Sequence, residues 1–313
     1  MGLLNWRKLE ENFGSESGYL GFLRDSPSAA QRLCHVLSNS RFLGDALNKS
    51  VESVTWLGND DSLQPRSRES LDIQTKATLE RNAGNINDFA NSIRAMRRHE
   101  IERIGLAWMS GVIDDEASLA GMTDVYDAAI EASLQWAIQH RINDIQIDEA
   151  PAAIAIIGMG RYGGREVNFS SDADVIIIYR PAEGADDDQA NLFARKVQED
   201  LRAILQGPTT FEPKIELDMD LRPEGKNGPL VRSYASCEEY YRSWASTWEH
   251  QALLRARYAA GDASLAEDFL MNIADPLRYP KIDLTETQIA EIRKLKARME
   301  ADVCRAEYVG IAI

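Results

Sequence analysis

Two aspartates one residue apart, at the start of an apolar run, are the residues best placed to do chemistry. Ser171-Asp172-Ala173-Asp174 leads into Val175-Ile176-Ile177-Ile178-Tyr179. Such a density of β-branched residues predicts a strand, where carboxylates at i and i+2 point to one face. Side by side they repel, and each disfavours the other's ionisation. A divalent cation removes that penalty, and Mg²⁺ is commonly held by carboxylates together with substrate phosphates. A second segment, Lys214 to Leu221, alternates: Ile215, Leu217, Met219 and Leu221 share one face, Glu216, Asp218 and Asp220 the other. Three carboxylates from two strands suit a two-metal phosphoryl-transfer site. Asp220 has the parity of Asp218, so spacing alone does not choose between them. Arg222 projects the same way, to steady a phosphate or pair with a carboxylate.

Between these aspartates and an earlier apolar run, Ala152 to Ile157, lies Gly158-Met159-Gly160-Arg161-Tyr162-Gly163. Its G-x-G-x-x-G spelling suggests a dinucleotide-binding turn. About ten residues then separate Gly163 from the next strand, too few for a crossover helix and its loops. A P-loop is excluded as well, because Gly164-Arg165 follows where Lys-Ser/Thr is required. What is left is a glycine turn between strand and helix, or a loop offering backbone N–H groups to phosphate.

The elements that hold these residues make a small sheet set between helical segments. Residues 1–150 read as helices. Asp25-Ser26-Pro27 is a start signal. Ile93, Met96, Ile101, Ile104 and Trp108 form a stripe that leaves Arg94, Arg98 and Glu102 mostly outside it. Met122, Tyr126, Ile130, Leu134 and Ile138 form another. Asn59 to Pro65 reads as a loop, and the acidic run Glu183 to Asp188 as a solvated one. A helix from Asp188 to Leu205 separates the second and third strands, and Asn227-Gly228 turns the chain toward a fourth near Leu230-Val231. Beyond Ser236 the pattern is helical to the end, broken at Leu277-Arg278-Tyr279-Pro280. Trp248 and Glu249 read as helix packing and a salt bridge, and His250 has no Asp or Ser partner spelled nearby. The expected class is α+β, a small mixed sheet flanked by helices. The expected division is 1–150 helical, 151–262 catalytic, and 263–313 the start of a further helical region cut short.

The 313 residues are 44% hydrophobic and 27% charged, a globular composition. No apolar run approaches a membrane span, and Met1 to Lys8 has no apolar export region, so the expectation is cytoplasmic. Cys34, Cys237 and Cys304 are too scattered for a disulfide framework or a zinc site. A net charge of −15 argues against a nucleic-acid partner. It still allows a nucleotide held by local arginines, backbone amides or a metal ion.

Gly158 to Glu166 with Ser171-Asp172-Ala173-Asp174 resembles the signature of glutamine synthetase adenylyltransferase, one of the polymerase-β-like nucleotidyltransferases. Leu217 to Val231 resembles its second signature, and Thr247 to Arg257 the helix that follows. Residues 94–105 are weakly similar to the helical region before the catalytic domain. Asp220 stands where many members carry arginine, and Tyr162 where leucine is common. The resemblance makes Asp172 and Asp174 ligands of Mg²⁺ and Asp218 the third carboxylate, and puts Gly163, Gly164 and Ser171 near the triphosphate of ATP.

The family has two catalytic halves, one adding AMP to glutamine synthetase and one removing it by phosphorolysis. The Trp248–Arg257 block is more similar to the adenylylating, C-terminal half. The phosphorolytic half is the alternative of like chemistry, and a catalytically silent nucleotide-sensing module the alternative of another class. The PII signal protein and glutamine are the regulators that the resemblance implies.

Overall fold

The amino-terminal helices begin where local chemistry lets them. Pro27 occupies the first turn of a helix, where its missing N–H costs nothing. The Ser26 hydroxyl does not cap that helix; it lies 3.4 Å from the Ser28 hydroxyl instead. The computed structural model describes residues 2–13, 17–209, 212–281 and 283–310. Among the described residues eight α-helices precede the first strand: α1 (Gly2–Phe13), α2 (Ser17–Asp25), α3 (Pro27–Asn39), α4 (Arg41–Lys49), α5 (Asp60–Leu63), α6 (Arg68–Arg81), α7 (Ile86–Met109) and α8 (Asp115–Asp144). Asn59 caps α5, so the expected loop there holds one helical turn.

The stripe on α7 is real but not one-sided. Ile93, Met96, Ile101 and Ile104 are buried, yet so are Arg94 and Glu102, while Trp108 is 43% exposed. Arg94 is buried because carbonyls meet it. Its guanidinium donates to Ile204 O at 2.6 and 2.8 Å and to Gly207 O at 2.8 Å. Those carbonyls close α10 (Asp187–Gln206), where a helix end leaves acceptors unsatisfied.

The sheet has five strands: β1 (Ala152–Gly158), β2 (Ala173–Pro181), β3 (Leu217–Asp218), β4 (Val231–Ser233) and β5 (Arg257–Gly261). The order is β3-β2-β1-β5, with β4 also pairing β2. β1 runs antiparallel to β2 and β5, whereas β3 and β4 run parallel to β2. The fold is α+β. An antiparallel β1–β2 pair is incompatible with a βαβ dinucleotide unit, so the glycine motif belongs to another kind of loop.

Two expectations give way here. The alternating segment pairs as a strand only at Leu217 and Asp218, because the Asp220 N–H turns back to Asp218. The region beyond Ser236 is not all helix. It holds α11 (Tyr234–Ser243) and α12 (Thr247–Ala252), then β5, then α13 (Ala263–Phe269), α14 (Asp275–Arg278) and α15 (Glu286–Gly310). The segment that resembles the family's following helix therefore continues into a strand.

Ala155, Ile157, Ile176 and Ile178 bury one face of the sheet with Tyr241, Leu253, Leu265 and Phe269. Contacts divide the chain into two units. One comprises Met1–His140, Arg165–Asp172 and Asp200–Glu216, the other Arg141–Gly164, Ala173–Glu199 and Leu217–Ile313. Cys34 and Cys237 are free thiols; the Cys304 side chain lies outside the described residues. No helix among the described residues is long and apolar enough to cross a membrane.

Candidate active site

Asp174 and Asp218 are register partners on the parallel strands β2 and β3. Neighbouring strands lie about 4.8 Å apart, and register partners project to one side. Period two along β2 puts Asp174 on the face of Ile176 and Ile178, at the end where the strand starts. Both carboxylates are half-buried. Asp218 Oδ1 accepts the Asp220 N–H at 2.7 Å, and no Lys or Arg among the described residues lies within ion-pair distance of Asp218.

A short helix, α9 (Gly160–Gly163), follows β1 and crosses this end of the sheet. The Met159 N–H donates to Asp174 O at 2.8 Å, tying the turn to β2. Gly160 has φ +51, the left-handed region, and a Cβ there would overlap Asp174 Oδ2 and come within 2.9 Å of its Cγ. Glycine is required on both counts. The middle glycine of G-x-G-x-x-G is thus the one that touches a carboxylate, a role its spacing alone did not single out.

The other sequence candidates are placed as follows. Gly163 is buried, and its lack of a side chain makes room for the carbonyls of Arg255 and Gly158. Gly164 lies against the Arg255 side chain, whose Cδ would be 3.1 Å from a Cβ. The Ser171 hydroxyl donates to Asn168 Oδ1 at 2.9 Å and accepts the Asn168 N–H at 3.1 Å, closing a turn. Asp172 is exposed, on the last residue before β2.

Arg222 is turned into the loop that follows β3. It is buried, and donates to Gly228 O at 2.9 Å, Met219 O at 2.7 Å and Lys226 O at 3.0 Å. All three of its nitrogens thus engage the backbone of the loop that follows β3. It also lies 3.6 Å from Asp220, which pairs with Lys226 at 3.1 Å. Asp220 therefore belongs to this loop and its cations.

The donors fit a divalent cation that arrives with phosphate. Among the described residues no three Asp, Glu, His or Cys side chains form a closed metal cage. Mg²⁺ does not need one: one or two carboxylates, water and substrate phosphates suffice. Two carboxylates on adjacent strands, with no cation paired to Asp218, supply that partial shell and gain most from a positive charge between them.

A small mixed sheet that sets two carboxylates on adjacent strands, with a glycine turn against one of them, is an arrangement suited to metal-assisted phosphoryl transfer. The family described as glutamate-ammonia ligase adenylyltransferase matches residues 30–272. The chain belongs to that family. It is 78% identical over 302 residues to the bifunctional glutamine synthetase adenylyltransferase/adenylyl-removing enzyme of Bifidobacterium longum strain DJO10A, covering 96% of this chain and 28% of the relative. The enzymes of the same name from Mycobacterium avium strain 104 and Mycobacterium tuberculosis strain CDC 1551 are 40% identical, with 96% of this chain and 30% of each relative covered. The chain thus spans less than a third of the length of the curated relatives it matches.

Proposed function

We propose that this chain carries a nucleotidyltransferase centre that moves AMP from ATP to a tyrosine of glutamine synthetase, regulating nitrogen assimilation. The observation that supports it most is the Asp174–Asp218 register with Gly160 packed on Asp174. The family membership and the relatives' names supply the substrate.

In this reading Asp174 and Asp218, with Asp172 two residues ahead of Asp174, hold Mg²⁺ with the triphosphate. The cation supplies charge neutralisation at the transferred phosphate. Asp218 also accepts the proton of the attacking tyrosine, whose phenol, with a pKa of about 10, is a poor nucleophile at neutral pH. The tyrosine oxygen forms a bond to the α-phosphorus, and the bond to pyrophosphate breaks in line. The turn from Gly160 to Gly164 brackets the triphosphate by its backbone. Ser171, engaged with Asn168, enters only as the turn before Asp172. The reading extends to a cytoplasmic setting and to PII and glutamine as regulators.

Phosphorolytic removal of AMP is the second reading, because the relatives' names carry both activities. Incubation with glutamine synthetase, Mg²⁺ and labelled ATP tests the first; label on glutamine synthetase is the expected result. Phosphate-dependent release of ADP from adenylylated enzyme would favour removal. Nucleotide binding with neither reaction would favour a sensing module.

A further inference from the structure

Glu249 is 3% exposed and pairs with no cation among the described residues. Its Oε2 accepts the Ser246 N–H and hydroxyl, both at 2.8 Å, closing the capping box of α12. Its Oε1 reaches away from the helix. It accepts the Tyr240 hydroxyl at 2.7 Å and the Glu224 N–H at 3.1 Å. Burial alone would push this carboxyl up, but the donors from Ser246, Tyr240 and Glu224 hold it below the usual carboxylate value.

Two of the four donors are backbone N–H groups, one at each oxygen, and these cannot turn round to accept. Only an ionised carboxylate presents acceptors on both sides; an amide would meet one N–H with its own hydrogens. A helix cap needs the Ser246 side alone. The Glu224 side therefore has another purpose.

Glu224 has φ +67, a conformation that a non-glycine residue holds only under constraint. Its side chain pairs with Arg232 at 3.1 Å, and the Arg232 guanidinium lies over the Tyr240 ring. Glu224 sits in the middle of the loop 219–228, which Arg222 grips from within at Met219, Lys226 and Gly228. That loop starts one residue after Asp218, and the Asp220 N–H on Asp218 Oδ1 is its first turn. With only two residues of β3 paired, strand pairing alone leaves the Asp218 side chain weakly oriented.

We infer that Glu249 is a positioning residue for Asp218: through the Glu224 N–H it fixes the loop whose first turn aims the Asp218 carboxylate. This rests on the proposed role of Asp218 at the nucleotide. The test compares the full chain with Glu249→Gln and Glu249→Asp by amide hydrogen exchange and by Mn²⁺·ATP titration.

In Glu249→Gln, exchange across 219–228 rises roughly tenfold, the effect of about one lost hydrogen bond, while β1 and β2 amides keep their rates. The Mn²⁺ concentration that half-saturates ATP binding rises, and metal-free ATP affinity stays put. Unchanged loop exchange, or a uniform rise across the sheet, overturns the inference. Should Glu249→Gln fail to fold, Glu249→Asp withdraws the carboxylate from the Glu224 N–H and leaves in place the Tyr240 hydroxyl, which accepts the same N–H at 3.3 Å. A rise of roughly threefold confined to the loop then supports the inference, and no rise overturns it. A wild-type chain that binds no metal nucleotide would instead sink the proposed function, while exchange would still report whether Glu249 holds the loop.

Discussion

A methyl group on Gly160 would overlap the carboxylate of Asp174, because the turn after β1 crosses the start of β2 at contact distance. The turn and the carboxylate thus form one rigid unit, tied again by the Met159 N–H on Asp174 O. Whatever binds Asp174 also meets the backbone of this turn.

Gly160→Ala should therefore disable the site while leaving the fold. The left-handed φ costs alanine about 1 kcal/mol, and the added carbon must push the carboxylate aside. Mg·ATP affinity should fall roughly tenfold or more, with the unfolding midpoint lowered by only a few degrees. Gly164→Ala is the contrast: its neighbour is the flexible Arg255 side chain, so affinity should stay within about twofold. Calorimetric titration of both variants decides it, and normal binding by Gly160→Ala would remove the turn from the site.

Arg222→Met should act on stability before it acts on nucleotide. The substitution leaves three loop carbonyls without their donor, and one buried unsatisfied group already costs about 1–3 kcal/mol. Arg222→Lys should rescue only part, since one ammonium cannot reproduce the planar fork. Thermal unfolding read beside ATP affinity separates this from a phosphate contact. A normal midpoint with weakened ATP binding would restore the phosphate role.

How much of this was legible in sequence depended on how local the cause is. The Val175–Tyr179 run announces β2 by composition, and the i, i+2 aspartates follow from its pleat. Strand β5 does not announce itself: Arg257-Tyr258-Ala259-Ala260-Gly261 has no β-branched residue and becomes a strand by pairing with β1. Arg94 and Glu102 fall mostly outside the apolar stripe because helical period reports one face, whereas α7 is buried at these positions too. Gly160 and Glu249 depend on segments 14 and 25 residues away, and spacing carries no record of those contacts, whereas the inward turn of Arg222 depends on how the loop of its own neighbours closes around it.

Glu102 should make stability fall as pH rises. It is 1% exposed, and neither oxygen has a hydrogen-bond partner of good geometry among the described residues. Burial, partly offset by Ser53, Arg98 and Ser50, pushes its carboxyl up to about 7 from an ordinary 4.5. Between these values the folded chain holds more protons than the unfolded one, so stability declines from pH 4.5 to 7. The loss is on the order of 3 kcal/mol by the pKa difference. Glu102→Gln should flatten this part of the curve. Denaturant unfolding of both proteins at several pH values checks it, and parallel curves would mean that Glu102 does not titrate in this window.

Asp218 and Asp220 should part company under substitution, although they alternate to the same side in sequence. Asp218 is the register partner of Asp174 and pairs with no cation among the described residues, whereas Asp220 pairs with Lys226 and lies near Arg222. An amide at 220 keeps the shape of the loop and loses an ion pair that is partly exposed, worth about 0–1 kcal/mol. An amide at 218 still accepts the Asp220 N–H but removes the charge that faces Asp174. Asp218→Asn should therefore raise the Mg²⁺ concentration needed for ATP binding and lower AMP transfer roughly 10²-fold or more. Asp220→Asn should lower it by less than about threefold. Parallel Mg²⁺ titrations of nucleotide binding, followed by transfer assays in the longer protein, make the comparison. Equal losses would dissolve the distinction, and a larger loss at Asp220 would move the third carboxylate into the loop.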